Sequence, residues 1–139
     1  MQAALYDVTI TCVSRLRNTI LVGVGGMLGS IARYLSVYFM SRLMAIDFPI
    51  GTFVVNVLGC FIIGLAAGFA GRYFPDDQGR LLFVATGFCC GFTTFSAFAL
   101  ETVELLTSRS FFTSASYVVV SVIVCIIAAF LGLFAARHW

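Results

Sequence analysis

Apolar residues run almost without interruption through four stretches, at about 19–43, 50–71, 81–106 and 111–136, separated by short polar connections. Each stretch meets the ~20 residues that a helix needs to cross the hydrocarbon core of a bilayer. The connections carry the breakers and half of the acids: 42–49 includes Asp47, 72–80 includes Pro75, Asp76 and Asp77, and 107–110 includes Arg109. Both prolines, Pro49 and Pro75, fall in or beside these connections, where a missing N–H costs least. The pattern predicts an all-α membrane protein with four transmembrane helices and no soluble domain left over. Residues 1–18 form an N-terminal extension holding Asp7, Arg15 and Arg17. It lacks the basic–apolar–cleavage order of a signal peptide, and a short interfacial helix or an irregular lead-in both fit it.

Composition strengthens this reading. The chain has 139 residues, of which 61% are hydrophobic and 10% charged, and its mean hydropathy is +1.07. Soluble domains carry about 25% charged residues, so water is not the solvent for most of this surface. Charge adds less. Every cation among the basic residues is an arginine, and the net charge is +2. No basic patch interleaved with aromatics points to nucleic acid. Arg15, Arg17, Arg72, Arg80 and Arg137 flank one side of the predicted spans, against Arg42 and Arg109 on the other, a bias toward a cytoplasmic N-terminus. The five cysteines, Cys12, Cys60, Cys89, Cys90 and Cys125, have no C-x-x-C spacing, and four of them lie inside spans. They read as small apolar residues rather than a zinc site or a disulfide framework.

Small residues at four-residue spacing, Gly25 with Gly29 and Gly64 with Gly68, mark helix-packing faces in lipid. A four-helix unit this small has little interior for a private pore, which favours association into a dimer or larger. Polar residues at membrane depth are costly and therefore informative. Arg33 stands in the middle of the first span, with snorkelling to an interface as its alternative. Asn56 lies in the second span, as ligand or as interhelical glue.

The third span holds the densest signal: Gly87-Phe88-Cys89-Cys90-Gly91-Phe92-Thr93-Thr94-Phe95-Ser96-Ala97-Phe98, then Glu101. Glycines and paired threonines weaken a helix there. An interrupted helix frees carbonyls that only protein or a bound ion can satisfy in lipid. A simple kink is the alternative. Phe95 and Phe98 stand three residues apart, and Glu101 continues their stripe. An aromatic ring has a positive edge, so ring edges turned into a pore hold an anion weakly enough to release it; ordinary packing is the alternative. In the fourth span Ser114, Tyr117, Ser121 and Cys125 recur at three- and four-residue steps and so share a face. They form either a line of donors or hydroxyls bonded back to their own helix.

These runs resemble the CrcB/Fluc fluoride channel family. The third-span run through Glu101 is similar to its third-helix signature. Pro49-Ile50-Gly51-Thr52, leading to Asn56 and Gly59, resembles its second-helix motif, and Gly25-Gly26-x-x-Gly29-x-x-x-Arg33-Tyr34 its first. The resemblance covers about residues 20–136, in order. It implies a broken third helix, an antiparallel dual-topology homodimer in the cell membrane, two fluoride pathways and a central structural sodium ion. The sodium ligands would be the backbone carbonyls of Cys90 and Thr93 from both subunits. Phe95 and Phe98 would line the pore, Asn56 and Ser96 would stand at the constriction, and Tyr117, Ser121 and Cys125 would form a polar track. Arg33 and Glu101 match polar pathway or vestibule positions. Cys90, Ala97 and Cys125 stand where the family commonly has Gly, Thr and Ser.

The activity implied is passive, uncoupled export of fluoride. A proton-coupled exporter of the small-multidrug-resistance type, also built of four short helices, needs a carboxylate in a central chamber. Here the first two spans hold no acid, and Glu101 lies toward the end of the third. An enzyme fits less well, since the only histidine is His138 and no nucleophile–base set appears.

Overall fold

The structure, a computed structural model, describes residues 2–43, 48–73, 78–108 and 110–138, with side chains described within 13–43, 48–70, 79–108 and 110–138. Asp47, Pro75, Asp76, Asp77 and Arg109 of the connections lie outside the described residues, as do the side chains of Asp7, Cys12 and Arg72.

The described residues are helical almost throughout. Helix α1 covers Gln2–Leu43 and α2 covers Ile50–Tyr73. The third apolar stretch is composite: α3 (Gln78–Leu81), a π-helical segment (Leu82–Cys89), α4 (Cys90–Phe92) and α5 (Phe95–Ser108). Helix α6 covers Phe111–His138. Four segments are long and apolar enough to cross a membrane: Val13–Leu43, Ile50–Ala70, Gly79–Ser108 and Phe111–His138. The 42 residues of α1 extend about 63 Å at 1.5 Å per residue, well over the ~30 Å of hydrocarbon. The N-terminal extension therefore continues the first span as helix.

Two close pairings organise the bundle, α2 with α6 and α1 with the π-helical segment and α4. Missing side chains permit both. A Cβ on Gly64 would strike the carbonyl of Ala129, and one on Gly132 the carbonyl of Phe61. On the other side, a Cβ on Gly29 would strike the Phe88 carbonyl, and one on Gly91 the Gly26 carbonyl. In each pairing the numbers rise together, so α1 runs parallel to the third stretch and α2 parallel to α6. The glycine pairs at 25/29 and 64/68 both lie in these contacts.

The core is narrow. Val55 and Cys89 are the largest fully buried side chains, whereas Phe95, Phe112, Leu43 and Phe130 are widely exposed. Apolar surface outside and little apolar volume inside is the arrangement of a chain solvated by lipid or by another copy of itself.

Candidate functional site

Regular helix lapses at Thr93 and Thr94, between α4 and α5. Thr93 takes an extended conformation, φ −81° and ψ 159°. Its N–H and its hydroxyl both donate to the Cys89 carbonyl, each at 2.9 Å. The Thr94 N–H, which a continuous helix would give to the Cys90 carbonyl, donates instead to Asn56 Oδ1 at 2.8 Å. Asn56 Nδ2 returns a bond to the Thr94 carbonyl at 3.2 Å. The Asn56 amide thus replaces a helical neighbour for one peptide unit, satisfying backbone that lipid cannot. Thr94 Oγ1 accepts from the Ala97 N–H at 3.2 Å and caps α5. Gly59, one turn beyond Val55, leaves the space into which the Thr93 methyl fits.

Beside this point lies a slot of 260 Å³ whose wall includes Asn56, Cys60, Phe95, Phe98, Ser121 and Cys125, with Thr93 and Thr94 at its back. Five of the sequence-predicted pathway residues are therefore brought together. Phe95 and Phe98 have ring centroids 5.7 Å apart at 43°, and Phe95 is 80% exposed, so its ring stands on the outer surface of the chain. Phe98 leans on Tyr117, centroid to centroid 5.2 Å at 45°. Ser121 is 6% exposed, and its hydroxyl has no hydrogen-bond partner among the described residues. One N–H of Asn56 is used on Thr94, and an amide carries a second. The slot so combines an unused hydroxyl, an amide N–H and aromatic rings, with no acidic group in its wall.

Tyr117 itself lies just outside the slot. It is 3% exposed, and its hydroxyl donates to Glu101 Oε2 at 2.9 Å. Thr52 Oγ1 donates to Glu101 Oε1 at 2.5 Å. The carboxyl group carried by α5 is thereby gripped by donors from α2 and α6. Ser114, a turn before Tyr117, donates across to the Thr102 carbonyl at 2.8 Å. The hydroxyls of Ser114 and Tyr117 therefore bond between helices rather than back along their own. A second cavity of 700 Å³, with Phe48, Phe53, Phe112, Tyr117 and Ser121 in its wall, opens on the other side of the Tyr117–Ser121 turn.

Ser96 is exposed, with its hydroxyl 3.2 Å from Thr94 Oγ1. Arg33 does not reach the slot. Its Nε donates to the Gly91 carbonyl at 3.1 Å, so it satisfies main chain next to the interruption from the α1 side. Cys90 is exposed and takes φ −67°, ψ −32°, ordinary helical backbone that a side chain occupies without strain. Its carbonyl has lost its usual donor to Asn56, and the Thr93 carbonyl follows an extended ψ. Among the described residues no cluster of three His, Cys, Asp or Glu side chains forms.

Sequence reasoning did not single out Cys60, or Thr52 as a partner of Glu101. Thr52 lies 49 residues from Glu101 along the chain, and only the fold joins them. Cys60 had one available signal, its position one turn after Asn56.

A sequence profile of the family described as CrcB-like protein, Camphor Resistance (CrcB) matches residues 20–133. Among similar proteins, one from Gloeothece citriformis is 43% identical over 86% of this chain and 96% of its own length. One from Methylobacterium radiotolerans is 42% identical over 86% of this chain and 85% of its own, and one from Azobacteroides pseudotrichonymphae is 38% identical over 84% and 94%. Each bears the name fluoride-specific ion channel FluC. With four segments fit to cross a bilayer and a profile match over most of its length, this chain is a multi-pass membrane protein and belongs to the CrcB family.

Proposed function

We propose that this chain is a passive, fluoride-selective channel that lowers cytoplasmic fluoride, acting as an antiparallel dual-topology homodimer in the cell membrane. The observation that carries the reading is the slot that gathers Asn56, Phe98, Ser121 and Cys125 beside the exposed ring of Phe95, in a chain whose relatives are named for fluoride.

Fluoride enters cells as neutral HF and is trapped as the anion at cytoplasmic pH. A negative-inside potential drives an anion outward with about 2.3 kcal/mol per charge per 100 mV, so a leak suffices without coupling. A partly dehydrated fluoride needs donors that hold it loosely. The second Asn56 N–H and the Ser121 hydroxyl supply hydrogen bonds, and the edges of Phe95 and Phe98 supply weak positive potential. Ser96 and Cys125 extend the path, Tyr117 borders it, and Arg33 and Glu101 set the potential at its approaches. Only one subunit's share of the wall is present in one chain, and the exposed Phe95 is in position to complete the path of a second copy.

The interruption at Thr93 and Thr94 acts in this reading as the break of the third helix. A sodium ion there would supply fixed positive charge between the subunits, held by the carbonyls of Cys90 and Thr93. The chain's own part is to divert the N–H groups that a continuous helix would give those carbonyls: the Thr94 N–H goes to Asn56 and the Ala97 N–H to Thr94 Oγ1.

The test is fluoride efflux from liposomes holding the purified protein, read with a fluoride electrode, against chloride efflux in parallel. Fast fluoride release without chloride release is expected, with loss of it in Phe95→Ile and in Asn56→Asp, where a carboxylate would repel the anion. Folded, dimeric protein that retains fluoride would end the channel reading.

A further inference from the structure

Cys60 and Cys125 belong to different helices, α2 and α6, yet both face the same slot. Both line its wall from two helices that pack closely against each other. Neither is in a disulfide, and both are half-buried, so they are reached from the slot rather than from lipid alone. Each thiol follows a polar slot residue by one helical turn, Cys60 after Asn56 and Cys125 after Ser121. The pairing is held from beyond: Gly64 against Ala129 and Gly132 against Phe61 keep the two backbones close in the next turn. Two thiols lining one slot from close-packed helices offer a pair of donors to a common point, unlike Cys90 on the outer face.

Thiolates prefer soft metal ions, whereas hard cations take oxygen ligands. Two sulfurs across a narrow slot suit d10 ions that accept two-coordinate, near-linear ligation. We propose that Cys60 and Cys125 form a two-thiol site for soft thiophilic cations, monovalent copper or silver and divalent mercury, and that an ion bound there closes the slot. Binding replaces two S–H bonds with two S–metal bonds and releases two protons to water, with no change of oxidation state. Divalent mercury leaves a neutral group, which suits a site at membrane depth. A monovalent ion leaves one negative charge in the wall and adds repulsion of anions to simple obstruction. The binding stands on the thiol pair alone; its effect on transport rests on the fluoride reading above.

The experiment uses purified full-length protein in liposomes, one equivalent of mercuric chloride, and a challenge with excess monothiol. Retained metal is counted by atomic absorption, and proton release is followed in weak buffer. One mercuric ion per chain is expected to survive the challenge, with two protons released. Cys60→Ser and Cys125→Ser should each lower mercury affinity about a hundredfold, because one sulfur then binds without its chelate partner. Cys90→Ala should keep the retained ion. Either serine variant holding mercury as tightly as the parent would overturn the site. In the same liposomes each sample's fluoride release is compared before and after mercury. Release that starts fast and continues under a retained ion overturns the closure. Release absent from the outset overturns the fluoride reading, while mercury retention still decides the site.

Discussion

At the scale of single residues, the chemistry concentrates on groups that satisfy one another across helices. Glu101 depends on Thr52 and Tyr117, one donor to each oxygen. Tyr117→Phe removes one donor while keeping the ring against Phe98 and Phe48. It should destabilise the protein by about 1–3 kcal/mol, the range for leaving a buried polar atom unsatisfied. Thr52→Val should cost a similar amount with little change of shape. The two share a partner, so the double variant should lose less than the sum, by about 0.5 kcal/mol or more. Equilibrium unfolding in detergent, run as a double-mutant cycle, reads the coupling, and strict additivity would show that Thr52 and Tyr117 hold Glu101 independently. Thr94 offers a second case. Its hydroxyl caps α5 through the Ala97 N–H, and Thr94→Val keeps the shape and removes the cap. A loss of about 1 kcal/mol is expected, visible as a lower midpoint in the same unfolding assay.

At the scale of elements, glycine position separates contact from open surface. Gly64→Ala drives a methyl into the Ala129 carbonyl, a backbone atom that cannot step aside, and should destabilise by about 1–3 kcal/mol. Gly23 meets nothing within 4 Å, and Gly23→Ala should raise stability by up to about 1 kcal/mol through helix propensity. Thermal unfolding of the two variants beside the parent gives opposite signs if α2 and α6 pack as described. The four helices and the packing glycines were legible because lipid imposes length and apolarity on every span and selects small residues at contacts. The face of Ser114, Tyr117 and Ser121 was legible from helical spacing, and all three are buried. The π-helical stretch at Leu82–Cys89 was not legible. Its wide turns accompany close approach of Gly87 to Val22 and Gly25 on α1, and local sequence carries no sign of a partner helix. The same holds for the bonds between Asn56 and the Thr94 peptide, which join residues 38 positions apart and leave no local sign in the sequence. The helical course of the first residues was also undecided, since three charged residues among apolar ones fit helix and irregular chain alike.

At the scale of the whole molecule, the question is what covers the outer surface. Phe95 stands 80% exposed at the slot while its neighbour Phe98 leans inward on Tyr117. On the channel reading proposed above, a pathway that uses both rings needs a second wall facing Phe95, which a second copy would supply. An antiparallel pair brings the interruptions at Thr93 and Thr94 of both chains to similar depth, because that point lies near the middle of the third span. A parallel pair of one orientation reaches this only by a two-fold axis along the membrane normal, and it presents all chains to the same side. The two arrangements differ in a measurable way. Ser110 lies in the exposed connection between α5 and α6. With Ser110→Cys introduced into a chain whose native cysteines are replaced by serine or alanine, an impermeant maleimide applied to right-side-out membrane vesicles reaches only chains whose connection faces outward. About half of the chains should label before detergent and all of them after, if insertion is dual and the arginine bias at the flanks is too weak to fix one orientation. Labelling near zero or near completion before detergent would mean a single orientation. The antiparallel dimer would then be excluded, and the exposed ring of Phe95 would have to meet a parallel partner or lipid.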